Sequence, residues 1–280
     1  MQQLKDKVVV ITGGATGIGF AFAKAFGGQG AKIVLGEPRQ AALDEAITAL
    51  TDLGIHAVSM AMDVRHMESV EAFADFAWQQ FGRVDILFNN AGVSMPRAPI
   101  EQSDMQAVRD LFDVNFFGIW HVCRAFTKRM IAQGTPAEIY NTGSENSLFV
   151  AVPHSAAYVA SKHAILGLTE SLRHDAPDFL HYGVIFPGFV ATPMTAAGGG
   201  DLGMDADEYA AIVLAQVQAG EAYIVSHAYN AERIAPRTEA LQQAYAKYAP
   251  RYPGDDVYDV PLLIERWTKA RSQKDLQPKD

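Results

Sequence analysis

Tyr158 and Lys162 stand four residues apart in a stretch, 156–172, whose apolar positions recur at helical spacing. Residues at i and i+4 share one helix face, so a phenol and an ammonium are presented side by side. An unperturbed phenol titrates near ~10, so only about one in a thousand is ionised at neutral pH. A neighbouring cation favours the phenolate. Turning it into a proton acceptor near neutrality takes about three units, or roughly 4 kcal/mol. An exposed charge pair supplies about 0–1 kcal/mol. Lys162 must therefore act in a sheltered place, helped by a further positive charge. Ser144, 14 residues before Tyr158, offers a hydroxyl to a substrate oxygen on which charge develops. Alone, Tyr-x3-Lys is a weak signal, better read as the polar face of an ordinary helix, so its neighbours along the chain decide its meaning.

The second set of residues lies near the start. An apolar run at 8–11 leads into Thr12-Gly13-Gly14-Ala15-Thr16-Gly17-Ile18-Gly19. Glycines allow positive φ and close backbone approach, and a helix N-terminus offers unpaired N–H groups to a pyrophosphate. The spacing Gly-x3-Gly-x-Gly differs from the standard dinucleotide fingerprint, and no Gly-Lys-Ser/Thr follows, so this is not a Walker loop. Glu37, 18 positions past Gly19, stands near the separation at which a carboxylate meets the adenosine ribose. A carboxylate there accepts hydrogen bonds from both ribose hydroxyls and repels a 2′-phosphate, which points to NAD rather than NADP. Arg39 is the counter-signal, since a guanidinium is able to pair with that phosphate.

The elements that must position these groups are legible as alternating patterns. Short apolar runs at 8–11, 33–35, 57–60, 86–88, 139–140, 184–186 and 223–225 predict strands. Helical periodicity covers 18–26, 41–53, 67–81, 104–133 and 156–175. Strands apolar throughout belong where both sheet faces are covered, and repeated strand–helix–strand order implies parallel pairing with right-handed crossovers. The expectation is a doubly wound, Rossmann-type α/β fold with a mostly parallel sheet of about seven strands. It forms one catalytic domain, 1–228, followed by a helical C-terminal extension, 229–280. In that extension 231–248 and 262–270 read as helices, around a stretch rich in Pro, Asp and Tyr.

Composition narrows the partners. The 280 residues carry a net charge of −9 and a single cysteine, Cys123. Duplex nucleic acid is bound by neutralising phosphates, which an acidic chain does poorly. No run approaches the roughly 18–20 apolar residues that span a bilayer, and the apolar run at 8–11 is too short for a signal-peptide core. A cytoplasmic enzyme with a small-molecule substrate is expected, without nucleic acid or membrane. His154, His163, His174 and His181 lack acidic or Cys partners at ligand spacing, so no metal is expected. Cys123 reads as core, and Val114, Ile119, Val122 and Phe126 as a helix-packing stripe.

Taken in order, Thr12-Gly13-x3-Gly17-x-Gly19, Asp63-Val64, Asn89-Asn90-Ala91-Gly92, Asn115, Ser144, Tyr158-x3-Lys162 and Pro187-Gly188-x-Val190-x-Thr192 resemble the short-chain dehydrogenase/reductase family over about residues 5–226. The resemblance implies hydride transfer between NAD(P) and a carbinol or carbonyl. It makes Tyr158 the general acid/base and has Ser144 orient the substrate oxygen. Lys162 lowers the phenol pKa and binds the nicotinamide ribose, and Asn115 holds a proton-relaying water. It places Asp63 and Val64 at the adenine, Asn90, Ala91 and Gly92 at the adenosine side and ribose, and Pro187, Gly188, Val190 and Thr192 at the nicotinamide. It also implies a homodimer or homotetramer. One departure stands out. Thr142-Gly143-Ser144-Glu145-Asn146-Ser147 replaces the usual Ser-Ser-x2-Gly, which leaves Ser147 as a second candidate for the serine role.

Substrate contacts are expected from Ser94, Met95, Phe149, Val150, Phe189, Met194 and the run 198–203. The set is apolar and has no cationic clamp for a phosphorylated substrate, so an uncharged hydrophobic or aromatic alcohol is favoured. The tail, with Tyr245, Tyr248, Tyr252, Tyr258 and Trp267, and the Gly-Ser-Glu-Asn-Ser stretch are similar to bacterial Cα-dehydrogenases of lignin β-aryl ether breakdown. That likeness implies NAD-dependent oxidation of a benzylic alcohol, with Phe149 and Phe189 stacking on the substrate rings. The alternatives are dehydrogenases of steroid or cyclic alcohols, carbonyl reductases, a lyase or epimerase of related fold, and a non-catalytic dinucleotide sensor.

Overall fold

The computed structural model describes residues 3–196, 199 and 202–275. Of the run 198–203 expected near the substrate, positions 198, 200 and 201 lie outside the described residues. The chain divides into two compact units, one ending at Asn230 and one starting at Ala231.

The first unit is built on β1 (Val8–Thr12), β2 (Lys32–Glu37), β3 (Ala57–Ala61), β4 (Ile86–Asn89), β5 (Ala137–Thr142), β6 (Leu180–Ile185) and β7 (Tyr223–Ile224). They form one seven-stranded sheet in the order β3-β2-β1-β4-β5-β6-β7, with every pair parallel. This is the doubly wound order, whose reversal between β1 and β4 opens a crevice at the carboxyl ends of the strands. The helices are α1 (Gly17–Gly27), α2 (Gln40–Asp52), α3 (Met67–Phe81), α4 (Met105–Phe112), α5 (Ile119–Gln133), α6 (Ala156–Asp175) and α7 (Ala206–Ala219).

Alternation along β1 divides the core. Val9 and Ile11 pack with side chains of α1, α2 and α7, whereas Val8 and Val10 pack with those of α3, α5 and α6. Each strand is apolar throughout because both of its faces are covered. Ile119, Val122 and Phe126 belong to the second of these clusters, so the stripe read from α5 packs the chain's own sheet. The opposite face of this region leaves Phe117, Trp120 and Ile131 exposed.

Two departures from the expected elements bear on the site. The stretch 104–133 is not one helix. Asp113–Gly118 is a π-turn between α4 and α5, and such turns are rare and concentrate at functional sites. Apolar periodicity does not register a single widened turn. The other is α7, which the expectation leaves out. Asp205 caps it by accepting from the Asp207 and Glu208 N–H groups, and Gly220 closes it in the left-handed conformation. It buries Tyr209, Ala210, Val213 and Val217, a cap and an apolar face that the sequence does display.

The second unit contains α8 (Asn230–Tyr248) from its second residue onward and α9 (Val260–Asp275). Between them Arg251 pairs with Asp255 and Arg266 with Asp256. Leu241, Tyr245, Tyr248, Tyr252, Tyr258 and Trp267 are exposed. Among the described residues no helix is long and apolar enough to cross a membrane.

Candidate active site

The carboxyl ends of β1, β2, β4, β5 and β6 open onto one cleft of about 700 Å3. Its floor begins at the turn after β1. Gly13 and Gly17 adopt φ of +63° and +55°, and a Cβ on Gly13 would meet Ala91 Cα at 2.9 Å. Thr16 precedes α1 without a side-chain cap on the helix, so the first N–H groups of α1 are left for whatever enters the cleft. Thr16, Gly17 and Ile18 line it. Gly19 does not. It lies underneath, where a Cβ would strike the Gly13 carbonyl oxygen.

Thr12 is also behind the wall. Its hydroxyl accepts from the Asn90 and Ala91 N–H groups, each at 3.0 Å, and Asn90 Nδ2 donates to the Thr12 and Gly13 carbonyls. Asn89 Nδ2 donates to the Ile119 carbonyl at 3.0 Å. The Asn-Asn-Ala-Gly segment thus ties β4 to β1 and α5, and Asn90, Ala91 and Gly92 still face the cleft.

At the β2 end, the Glu37 side chain is 7 % exposed and accepts from Arg39 Nε at 2.6 Å. Arg65 donates through Nε and Nη2 to Asp63. That contact, first of all the hydrogen bond, holds the Asp63 carboxyl below the usual range. Glu37, Asp63 and Val64 line the cleft together with Arg39 and Arg65. Ala107, Asp110, Leu111 and Val114 join them from α4 and the π-turn. Sequence reading took Val114 only as packing, because a helix stripe does not say which of its members reaches an opening.

The reacting end is built from β5, α6 and the loop after β6. Ser144, Tyr158 and Lys162 line the same cleft as the glycine turn. Lys162 is buried, and its Nζ donates to the Thr142 carbonyl at 2.9 Å and lies 5.7 Å from the centre of the Tyr158 ring. Burial brings its pKa down to about 8. Burial also pushes the Tyr158 hydroxyl above its ordinary value, a hydrogen bond with Ser144 pulls it down, and the Glu145 charge raises it again. In the chain by itself the phenol is therefore held protonated. Ser147 is fully buried. Its Oγ donates to the Lys162 carbonyl at 2.7 Å and accepts from the Ser144 N–H at 3.1 Å. Of the two serines, Ser144 alone lines the cleft.

Asn115 sits within the π-turn, fully buried. Its Oδ1 accepts from the Val93 N–H at 2.8 Å and its Nδ2 donates to the Val93 carbonyl at 3.0 Å. The side chain thus braces the loop after β4 behind Gly92 and is already committed to Val93.

Pro187, Gly188, Val190 and Thr192 line the far wall, with Val93, Ser94, Met95, Pro96 and Met194 near them. Phe149 and Phe189 are half-buried and are not among the lining residues. The expected pair of ring platforms is not on this wall. Glu145 was not among the expected site residues. It is 8 % exposed, its N–H donates to the Pro187 carbonyl at 2.8 Å, and its Oε2 accepts from the Tyr229 hydroxyl at 2.6 Å. Cys123 is buried, with its thiol pushed up to about 12 by desolvation.

A seven-stranded doubly wound sheet, a glycine turn and a Ser, Tyr, Lys cluster in one cleft together define an enzyme class, and the chain belongs to the short-chain dehydrogenases. The model of that family, short chain dehydrogenase, matches residues 7–201. The chain is 32 % identical over 266 residues to 1-deoxy-11-beta-hydroxypentalenate dehydrogenase of Streptomyces exfoliatus, covering 92 % of this chain and 96 % of the relative. Among solved structures it is similar to a short chain dehydrogenase/reductase from Burkholderia phymatum in complex with NAD. That match has a TM-score of 0.82 and 29 % identity, and covers 90 % of this chain and 99 % of the other. It is also similar to the apo form of LigO from Sphingobium sp. strain SYK-6, with TM-score 0.80 and 28 % identity over the full length of both. The chain is accordingly an oxidoreductase of hydroxyl or keto substrates.

Proposed function

We propose that this protein oxidises an uncharged hydrophobic secondary alcohol to a ketone with NAD, a benzylic one as in Cα-dehydrogenation of lignin-derived β-aryl ethers. The observation that carries the reading is the convergence of Ser144, Tyr158 and Lys162 on the cleft that also holds the Gly13–Gly17 turn. The residues present suit a dinucleotide. The left-handed glycines leave no Cβ over the turn, α1 starts uncapped, and a buried carboxylate stands at the end of β2. Gly13, Thr16, Gly17 and Ile18 would hold the pyrophosphate and Glu37 the adenosine ribose. Asp63 and Val64 would meet the adenine, Asn90, Ala91 and Gly92 the adenosine side, and Pro187, Gly188, Val190 and Thr192 the nicotinamide. NAD held by these residues would supply a hydride acceptor for the carbinol carbon and a positive charge in the site.

Within that arrangement Tyr158 takes the proton of the substrate hydroxyl, and Ser144 donates to the substrate oxygen. Lys162 binds the ribose and, with the cofactor charge, brings the phenol down from the value that burial imposes. With the Asn115 side chain committed to Val93, any relay water on Asn115 would rest on its main chain, in the widened turn. Ser147 is assigned a structural part.

The wall formed by Val93, Met95, Pro96 and Met194 carries no Lys or Arg, and Arg39 and Arg65 at the other end are paired with carboxylates. This supports a neutral substrate. A second reading, an alicyclic secondary alcohol, is favoured by the pentalenate relative. Family habit and the exposed Phe117, Trp120 and Ile131 support a homodimer or homotetramer; the cytoplasm is the proposed location. The test is NADH formation at 340 nm with aryl and alicyclic carbinols, run in parallel with NADP. Dinucleotide binding without turnover of any carbinol or ketone would instead make the protein a sensor.

A further inference from the structure

Pro187 and Gly188 form part of the cleft wall, and the backbone gives no reason for a glycine at 188. Gly188 does not adopt the left-handed φ that favours this residue. Space gives the reason. A Cβ at 188 would meet Cγ, Nδ1 and Cδ2 of the His227 ring at 2.5, 2.6 and 2.8 Å. Three bonded ring atoms at such similar distances mean that the face of the imidazole covers the glycine. The half-buried His227 thus fills the room that a side chain at 188 would take.

The same ring holds the next residue. His227 Nε2 lies 3.3 Å from the Phe189 carbonyl oxygen. A carbonyl only accepts, so Nε2 carries the proton. Nδ1 lies 2.8 Å from Ser226 Oγ and, in the neutral ring, accepts from that hydroxyl. The Met204 N–H shares the Phe189 carbonyl at 2.9 Å. On the other side of the glycine, the Pro187 carbonyl accepts from the Glu145 N–H at 2.8 Å. Tyr229, edge-on to the His227 ring, donates its hydroxyl to Glu145 Oε2 at 2.6 Å. Three loops, after β5, β6 and β7, therefore meet at residues 187–189. Glu145, His227 and Tyr229 are not among the residues lining the cleft, so they press on this wall from behind.

We propose that His227 is a positioning residue, which holds the Pro187–Gly188 turn in place and so fixes the nicotinamide end of the dinucleotide site. The proposal rests on the reading of this wall as the one that meets the nicotinamide. A glycine turn has no side chain of its own to anchor it, so its position depends on what packs against it. The ring covers Gly188 and its Nε2–H ties down Phe189. The pyrophosphate and adenosine end is built on the turns after β1, β2 and β4, which this brace does not touch. The effect of His227 is therefore confined to one end of the ligand.

The experiment compares NADH with ADP-ribose, which is the same dinucleotide without its nicotinamide, by calorimetric titration of the full chain. His227→Ala is expected to weaken NADH by about five- to tenfold, the equivalent of one hydrogen bond, and to leave ADP-ribose affinity unchanged. Gly188→Ala weakens NADH in the parent chain. In the His227→Ala background the added methyl has room, and its cost disappears. Parent-like NADH binding by His227→Ala overturns the proposal, and so does an equal loss of NADH and ADP-ribose, which is general damage to the fold. A Gly188→Ala cost of the same size in both backgrounds also overturns it, because the glycine would then serve something other than the ring. Should His227→Ala not fold, Gly188→Ala decides alone, since a displaced ring must weaken NADH and spare ADP-ribose. Failure of the dinucleotide reading is recognised separately, by a parent chain that binds neither ligand.

Discussion

The Ser147 hydroxyl donates to the main-chain carbonyl of Lys162 at 2.7 Å, which hooks the turn after β5 onto α6. The same hydroxyl accepts the Ser144 N–H. The spacing between Ser144, Tyr158 and Lys162 is thus held by a residue that does not touch the cleft. Ser144→Ala and Ser147→Ala should separate two effects. The first is expected to lower kcat by about 100-fold or more with little change in Tm, since it removes a donor to the developing charge. The second is expected to cost about 1–3 kcal/mol of stability by leaving buried groups without a partner. Thermal melts alongside single-turnover rates measure both, and a reversed pattern would hand the catalytic part to Ser147.

Tyr158→Phe is expected to abolish turnover and leave NADH affinity nearly unchanged, because the ring remains and only the proton carrier goes. NADH fluorescence titration and the 340 nm assay read the two separately. Retained turnover would remove Tyr158 from the acid/base part.

Burial of Lys162 gives a stability prediction with a definite sign. Its pKa falls from an ordinary 10.5 to about 8, so between these values the unfolded chain binds more protons than the folded one. Stability from this group is therefore present above about 10.5 and is lost as pH falls to 8. Lys162→Met should be inactive, yet more stable than the parent by about 3 kcal/mol below pH 8. The gain should vanish toward pH 10.5. Urea melts across pH 6.5–10.5 check this, and a gain independent of pH would contradict it.

The pairing of Glu37 with Arg39 at 2.6 Å bears on cofactor choice. Glu37→Ser removes two charge-assisted acceptors and frees the guanidinium. The ratio of kcat/KM for NAD over NADP should fall by about 10–100-fold, the equivalent of one such hydrogen bond at roughly 1.5–3 kcal/mol. A ratio that already favours NADP in the parent chain would overturn the assignment of NAD.

Much of this fold was readable from local order. The seven short apolar runs all became strands of one sheet. A strand covered on both faces must be apolar along its whole length, and this signal survives without any knowledge of its neighbours. The glycine turn was readable for a similar reason. Gly13 and Gly17 need positive φ, a property of single residues. The family resemblance was carried by spacings along the chain.

What tertiary structure alone decided lies where distant segments meet. Asn115 meets Val93 from within the π-turn Asp113–Gly118, a widening by one hydrogen bond that leaves apolar periodicity almost untouched. Phe149 and Phe189 have the right chemistry for ring platforms, but loop paths turn them off the cleft wall. The bond between Glu145 and Tyr229 spans 84 residues, and no pattern in the sequence couples them. Residue type and spacing specify what a side chain is able to do within its own element. Which charge it meets is set by the packing of three loops, and that is a property of the folded chain.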